Sequence, residues 1–202
     1  LAAPPDTQKG NRDRMIMILL YDTTIRIAEL LELKISSLKL TSVPSIHIHG
    51  KGDKERSVSI TDATVSHLKK YLRQFHPEML PDQPLFYTKI KGSIAPMSPG
   101  NVSRIINKYA DAIRSEHPNL PKHLHCHMFR RTRATGLYRN GVELEMISVI
   151  LGHSSTETTR IYATPSIEML EEAMNTANST IPDETPEWEE NEDELARICG
   201  LR

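Results

Sequence analysis

Between Met128 and Asn175 the chain is cut into four short helical pieces by stop signals, and that punctuation narrows its architecture more than any other feature. Met128 to Arg139 runs into Asn140-Gly141, and Glu143 to Leu151 runs into Gly152. The third piece meets Pro165, and Ile167 to Asn175 follows it. Glycine closes a helix because it accepts positive φ, and proline because it lacks an amide hydrogen. Ser154 and Glu157 have the spacing of a capping box, so Tyr162 is expected on the helix they open. Helices this short are marginal alone and must pack on one another.

Upstream the periodicity changes twice. Residues 1–10 read as a linker remnant, and Arg12 to Tyr21 and Arg26 to Leu33 as helices. The second of these carries Ile27, Leu30 and Leu31 at helical spacing. Ile46 and Ile48 then alternate with His47 and His49, Gly50-Lys51-Gly52-Asp53 turns the chain, and Val58 and Ile60 alternate again. That is the pattern of a β-hairpin. Thr61 to Phe75 returns to helix with Val65, Leu68 and Leu72 on one face; residues 76–100 read mostly as proline-punctuated loop; Asn101 to Arg114 is helical. The expected fold is mainly α with a small antiparallel β-sheet. Its body is expected at 11–178, followed at 179–202 by an acidic, proline-bearing linker and a short helix with Leu195, Ile198 and Cys199 on one side.

The net charge of −1 conceals an asymmetry. Residues 166–202 hold eleven acidic groups against two arginines, while residues 1–165 hold twenty-three basic groups against fifteen acidic ones and all nine histidines. A basic body with an acidic tail suits a nucleic-acid binder, and a solvated acidic terminus on a neutral enzyme suits the charges nearly as well. The longest apolar run, Met15 to Tyr21, is too short to span a bilayer, so no membrane association is expected. Residues 1–10 do not resemble a signal peptide, and a start without methionine suggests a piece of something longer. Two cysteines, Cys126 and Cys199, give no disulfide framework and fit the cytoplasm.

Two arginines occupy unusual positions. Arg26 is four and seven residues before Leu30 and Leu33, and Arg130 stands in the same relation to Ala134 and Leu137. A guanidinium on the inner face of a helix cannot lose its charge and needs an anion. Glu29 is one such anion for Arg26; a phosphate gripped by both arginines is the other reading. Lys51 sits at the glycine-flanked hairpin tip, where it can reach a phosphate from one side. His127 precedes Arg130 by one helical turn, and His153 stands in Leu151-Gly152-His153-Ser154-Ser155, nine residues before Tyr162. His123-Leu124-His125-Cys126-His127 also offers metal-ligand types, but a second ligand pair of the usual spacing is missing, so no metal or other cofactor is expected.

Taken in order, Arg26-Ile27-Ala28-Glu29-Leu30, Gly-Lys-Gly-x-Lys-x-Arg, His-x-x-Arg, Leu-Gly-His-Ser-Ser and the tyrosine nine residues on resemble the catalytic signature of the tyrosine recombinase family over residues 11 to 175. The chain departs from that pattern at Thr24, where many relatives have glycine, and at Arg131 and Arg133. The resemblance implies the tyrosine recombinase catalytic fold and six active-site positions: Arg26, Lys51, His127, Arg130, His153 and Tyr162. It implies that the arginines neutralise the phosphate, Lys51 protonates the leaving 5′-oxygen, His127 takes or orients the tyrosine proton and His153 donates a hydrogen bond to the phosphate. Tyr162 would form a 3′-phosphotyrosyl intermediate on double-stranded DNA, without ATP or metal. The resemblance further implies an upstream DNA-binding domain missing from this fragment and a homo-oligomer on DNA, in the form of a synaptic tetramer. The 179–202 tail would pass to a neighbouring protomer or fold back onto its own domain. Mobile-element integration is the first reading and chromosome-dimer resolution the second. A type IB topoisomerase, a catalytically silent DNA-binding module and a zinc hydrolase are the competing classes.

Overall fold

Met15 to Leu20 are all buried, and the helix that carries them is the centre around which the rest is laid. A helix apolar all round belongs inside. In the computed structural model, which describes residues 3–50, 54–153, 155–163, 165, 167–178 and 197, this is α1 (Gln8–Asp22). It starts within the stretch expected as linker: the Thr7 hydroxyl accepts the Gly10 N–H at 3.1 Å and caps it. The expected tail helix around residues 192–199 lies outside the described residues apart from Arg197, as do the Lys51 turn and Ser154.

The chain divides into two compact units, residues 1–164 and 165–202. In the first, α2 (Ile27–Glu32), α3 (Asp62–Phe75), α4 (Pro99–Ile113) and α5 (Cys126–Arg139) all pack against α1. A three-stranded antiparallel sheet, β1 (Leu38–Lys39), β2 (Ser45–Gly50) and β3 (Lys54–Ser59), lies at one side. Its β2–β3 pair is the expected hairpin, with Ile46 opposite Val58 and Ile48 opposite Arg56. A second hairpin, β4 (Tyr87–Ile90) with β5 (Ser93–Pro96), occupies part of the stretch expected as loop. Lys91 and Gly92 both have positive φ, at 49° and 85°, which is what a two-residue hairpin turn needs.

The short pieces downstream form α6 (Leu144–Leu151) and α7 (Glu157–Arg160). Gly152 ends α6 in the left-handed conformation at φ 63°, as its stop signal predicts. Two apolar clusters result. The large one holds α1 and its neighbours; the small one is built from Ala134, Ile147, Leu151 and Tyr162. The second unit carries α8 (Ile167–Asn178), on which Ile167, Leu170 and Met174 are exposed along one stripe. Among the described residues, no helix is long and apolar enough to cross a membrane.

Candidate active site

Arg130 lies on the inner face of α5, 2 % exposed, as its spacing from Ala134 predicts. Its partners are not carboxylates. Nη1 donates to the Thr24 carbonyl at 2.7 Å, and Nη2 donates to the Leu151 carbonyl at 2.7 Å and to His153 Nε2 at 2.9 Å. One guanidinium thereby ties the loop before α2 to the end of α6. Burial, then the Arg26 charge, lowers its pKa to about 10, so it stays charged at neutral pH. Thr24 is fully buried at φ 53°, a left-handed backbone that a β-branched residue adopts only under strain.

His153 continues the network. Its Nδ1 is 2.9 Å from the Thr159 hydroxyl, and Nε2 can accept from Arg130 only without a proton. The network therefore assigns a neutral ring with its proton on Nδ1. Burial, followed by the charges of Arg130, Arg26 and Arg56, pushes the imidazole down to about 4. His127 sits one turn before Arg130 at the start of α5. Partial burial, then the charges of Arg130, Arg26 and Arg131, lowers it below the ordinary histidine range.

Arg26 departs from expectation. It is not on the inner face of a helix but is the extended residue immediately before α2, its side chain 43 % exposed. Helical projection fails there because the helix begins one residue later. Arg26 Nη1 pairs with Glu29 Oε1 at 2.9 Å, the local partner that sequence spacing offers, and Nη2 reaches the Gly152 carbonyl at 3.5 Å.

Sequence reasoning missed Arg56, which shares that same carboxylate: Nη2 and Nη1 lie 2.8 and 3.2 Å from the two Glu29 oxygens. Burial alone would raise the Glu29 carboxyl, but hydrogen bonds from Arg56 and the Arg26 backbone, with the Arg56 charge, hold it down at about 2. The signal for Arg56 was present, because it stands two residues before Val58 and so shares the inward face of β3. It also packs under Gly152, where an added Cβ would come within 3.0 Å of the Arg56 side chain.

Tyr162 lies in the turn after α7 and not on that helix, which ends at Arg160. It is 4 % exposed, packed in the small apolar cluster, with its ring stacked on His153 at 6.4 Å between centroids. Lys51 lies outside the described residues. The structure thus brings Arg26, Arg130, His153 and Tyr162 around the C-terminal end of α6, with His127 within the field of both arginines. The histidines of 123–127 form no three-ligand group among the described residues.

A model of the phage integrase family matches residues 1–169. The chain belongs to that family. It is similar to a "Tyrosine recombinase" of Agathobacter rectalis, 40 % identical over 164 residues that cover 80 % of this chain and 51 % of the relative. It is also similar to "Tyrosine recombinase XerC" of Staphylococcus epidermidis, 30 % identical over 168 residues, 82 % of this chain and 53 % of that one. Among solved structures, the XerH site-specific recombinase bound to its palindromic difH substrate in a post-cleavage complex matches with a TM-score of 0.69 at 28 % identity, over 85 % of this chain and 47 % of that one. The mainly α fold with a small antiparallel sheet is thus that of the family's catalytic domain. The chain spans about half the length of the curated relatives it matches.

Proposed function

We propose that this chain carries the chemistry of a site-specific tyrosine recombinase, which cuts and rejoins duplex DNA through a 3′-phosphotyrosyl linkage at Tyr162. The observation that carries this reading is the hydrogen-bonded set Arg130–His153–Thr159 with Tyr162 stacked on His153. Arg26 and Arg130 neutralise the non-bridging phosphate oxygens, where charge grows in the transition state. The Tyr162 hydroxyl oxygen attacks phosphorus and the bond to the 5′-oxygen breaks. His127, held neutral by its surroundings, takes or orients the phenol proton. Lys51 acts as the general acid that protonates the leaving oxygen. The resting His153 has no hydrogen on Nε2 to offer; the negative charge of an incoming phosphate favours uptake of a proton from solvent there, and Nε2, released from Arg130, then donates to a phosphate oxygen. A 5′-hydroxyl of the partner strand reverses the first step. The phosphodiester energy is stored in the tyrosyl ester, so neither ATP nor a metal enters.

The partners in this reading are double-stranded DNA and further copies of the chain, assembled as a tetramer on paired sites in the cytoplasm. The catalytic body ends near residue 178, and residues 179–202 form the arm passed between protomers. The exposed stripe on α8 and the acidic composition beyond it support that arm.

The decisive experiment incubates the chain with a library of nicked duplexes, in which cleavage releases a short strand and traps the adduct. A covalent protein–DNA species is expected with the wild type and is absent with Tyr162→Phe, whose fold is unchanged by circular dichroism. An adduct that persists in Tyr162→Phe, through Tyr138 for example, overturns the assignment.

A further inference from the structure

The β2–β3 hairpin carries a second group of donor atoms, on the face opposite the core. Ile46 and Ile48 point inward, 1 % and 0 % exposed, so His47 and His49 between and beyond them point out. Across the ladder His49 is paired with Glu55, and His47 with Ser57. Glu55 stands between the two rings: one oxygen is 3.3 Å from His47 Nε2 and the other 2.9 Å from His49 Nδ1. One ligand atom from each of the three residues falls within 4.8 Å of the others. The rings meet edge to face, 5.0 Å between centroids.

We propose that His47, His49 and Glu55 bind a zinc-class divalent cation. Nitrogen and oxygen ligands at about 2.0–2.1 Å from a tetrahedral ion are about 3.3 Å apart; His47 and His49 lie 3.3 and 2.9 Å from separate Glu55 oxygens, and small side-chain rotations bring one atom of each, already within 4.8 Å, onto one ion. Two imidazoles and a carboxylate select zinc and its neighbours over magnesium or calcium, which take oxygen ligands. His47 has the outer partner such ligands use: its Nδ1 is 3.3 Å from the Ser57 hydroxyl, leaving Nε2 toward the ion. The three side chains are at least partly exposed, so the ion enters without unfolding the sheet. The fourth position is water.

The ligands come from both strands, so the ion staples the hairpin immediately before and after residues 51–53. Its bearing on DNA cleavage rests on the role proposed for Lys51; its binding does not. Zinc therefore acts on the segment that delivers the lysine and takes no part at the phosphate.

The test uses the whole chain, stripped with a chelator and titrated with zinc ions alone by calorimetry, with no DNA present. One ion per chain is expected. His47→Ala or His49→Ala weakens binding by about a hundredfold and Glu55→Gln by about tenfold, while Cys126→Ser and His125→Ala leave it unchanged. Zinc also slows tryptic cleavage after Lys51 and Lys54 in the wild type but not in His49→Ala. These side chains point outward, so the variants keep the wild-type circular dichroism. The site is refuted by zinc affinity that survives the His47→Ala/His49→Ala double variant, by affinity lost in Cys126→Ser, or by no binding below millimolar zinc. None of these results bears on Tyr162, whose role is judged by the DNA adduct.

Discussion

His153 accepts a hydrogen bond from the buried guanidinium of Arg130 at 2.9 Å, so a histidine and an arginine lie side by side without repelling each other. That arrangement holds only while His153 is neutral, and pH dependence follows directly. The folded-state pKa, about 4, lies below the ordinary 6.5. In between, the unfolded chain binds the proton that the folded chain refuses. Stability contributed by His153 is therefore complete above pH 6.5 and is lost as pH falls toward 4. The lowered His127 pKa acts in the same direction, and the Glu29 contribution, present above 4.5, goes as pH falls toward 2. Urea unfolding at pH 7.5, 6 and 5 should show falling stability in the wild type and a shallower fall in His153→Asn. Equal slopes in the two proteins would refute a neutral, buried His153.

The two arginines should separate by what they cost when removed. Arg26 is half exposed in an ion pair, so Arg26→Ala should change stability by less than about 1 kcal/mol. Arg130→Ala leaves two carbonyl acceptors without their donor and should cost about 3 kcal/mol. Both should slow adduct formation on the nicked duplex by about a hundredfold. Arg130→Lys should recover little of the rate, since its single nitrogen cannot stand where both Nη1 and Nη2 do, and the planar fork is lost. Near wild-type cleavage by Arg130→Ala would remove it from the phosphate.

Thr24 permits a test of strain. Its φ of 53° is comfortable for glycine and strained for alanine or a β-branched residue. Thr24→Gly should therefore be more stable than Thr24→Ala by about 1 kcal/mol, the reverse of the usual order, when thermal unfolding of the two is compared. If alanine proves the more stable, the left-handed backbone is not maintained in solution.

Removal of residues 180–202 should weaken assembly on paired DNA sites, seen as fewer synaptic complexes in native gels. The Tyr162 adduct on a single nicked duplex should survive. A truncated chain that pairs sites as well as the intact one would show that the tail is not an exchanged arm.

Much of the fold follows from local rules acting in the open. Gly152 and Asn140-Gly141 close their helices where they stand, because stop signals depend on backbone conformation that no distant contact alters. Arg130 was legible for the same reason: a helix already four residues long at that point fixes which way it faces. Arg26 was not, since the helical projection assumes a helical residue and Arg26 is still extended. Tyr162 was placed on a helix that stops two residues short of it. The role of Glu29 as the common partner of Arg26 and Arg56 depends on a sheet packing beside a helix, and no spacing within either segment announces it. Thr24 was visible only as a departure from the resembled pattern, in which glycine is common at that position; its positive φ is a conformation that favours glycine.

The small apolar cluster has a consequence of its own. Tyr162 is one of its four buried members, so the side chain proposed to attack DNA also helps hold Ala134, Ile147 and Leu151 together. If the proposed attack carries the ring out of that packing, the lost burial opposes its departure by about 2 kcal/mol. The molecule at rest thus keeps its blade sheathed in its own hydrophobic interior. On the proposed chemistry, a chance encounter with duplex DNA meets Arg26 but neither Arg130 nor the nucleophile, and only a phosphate held well enough to outweigh that burial draws the tyrosine out.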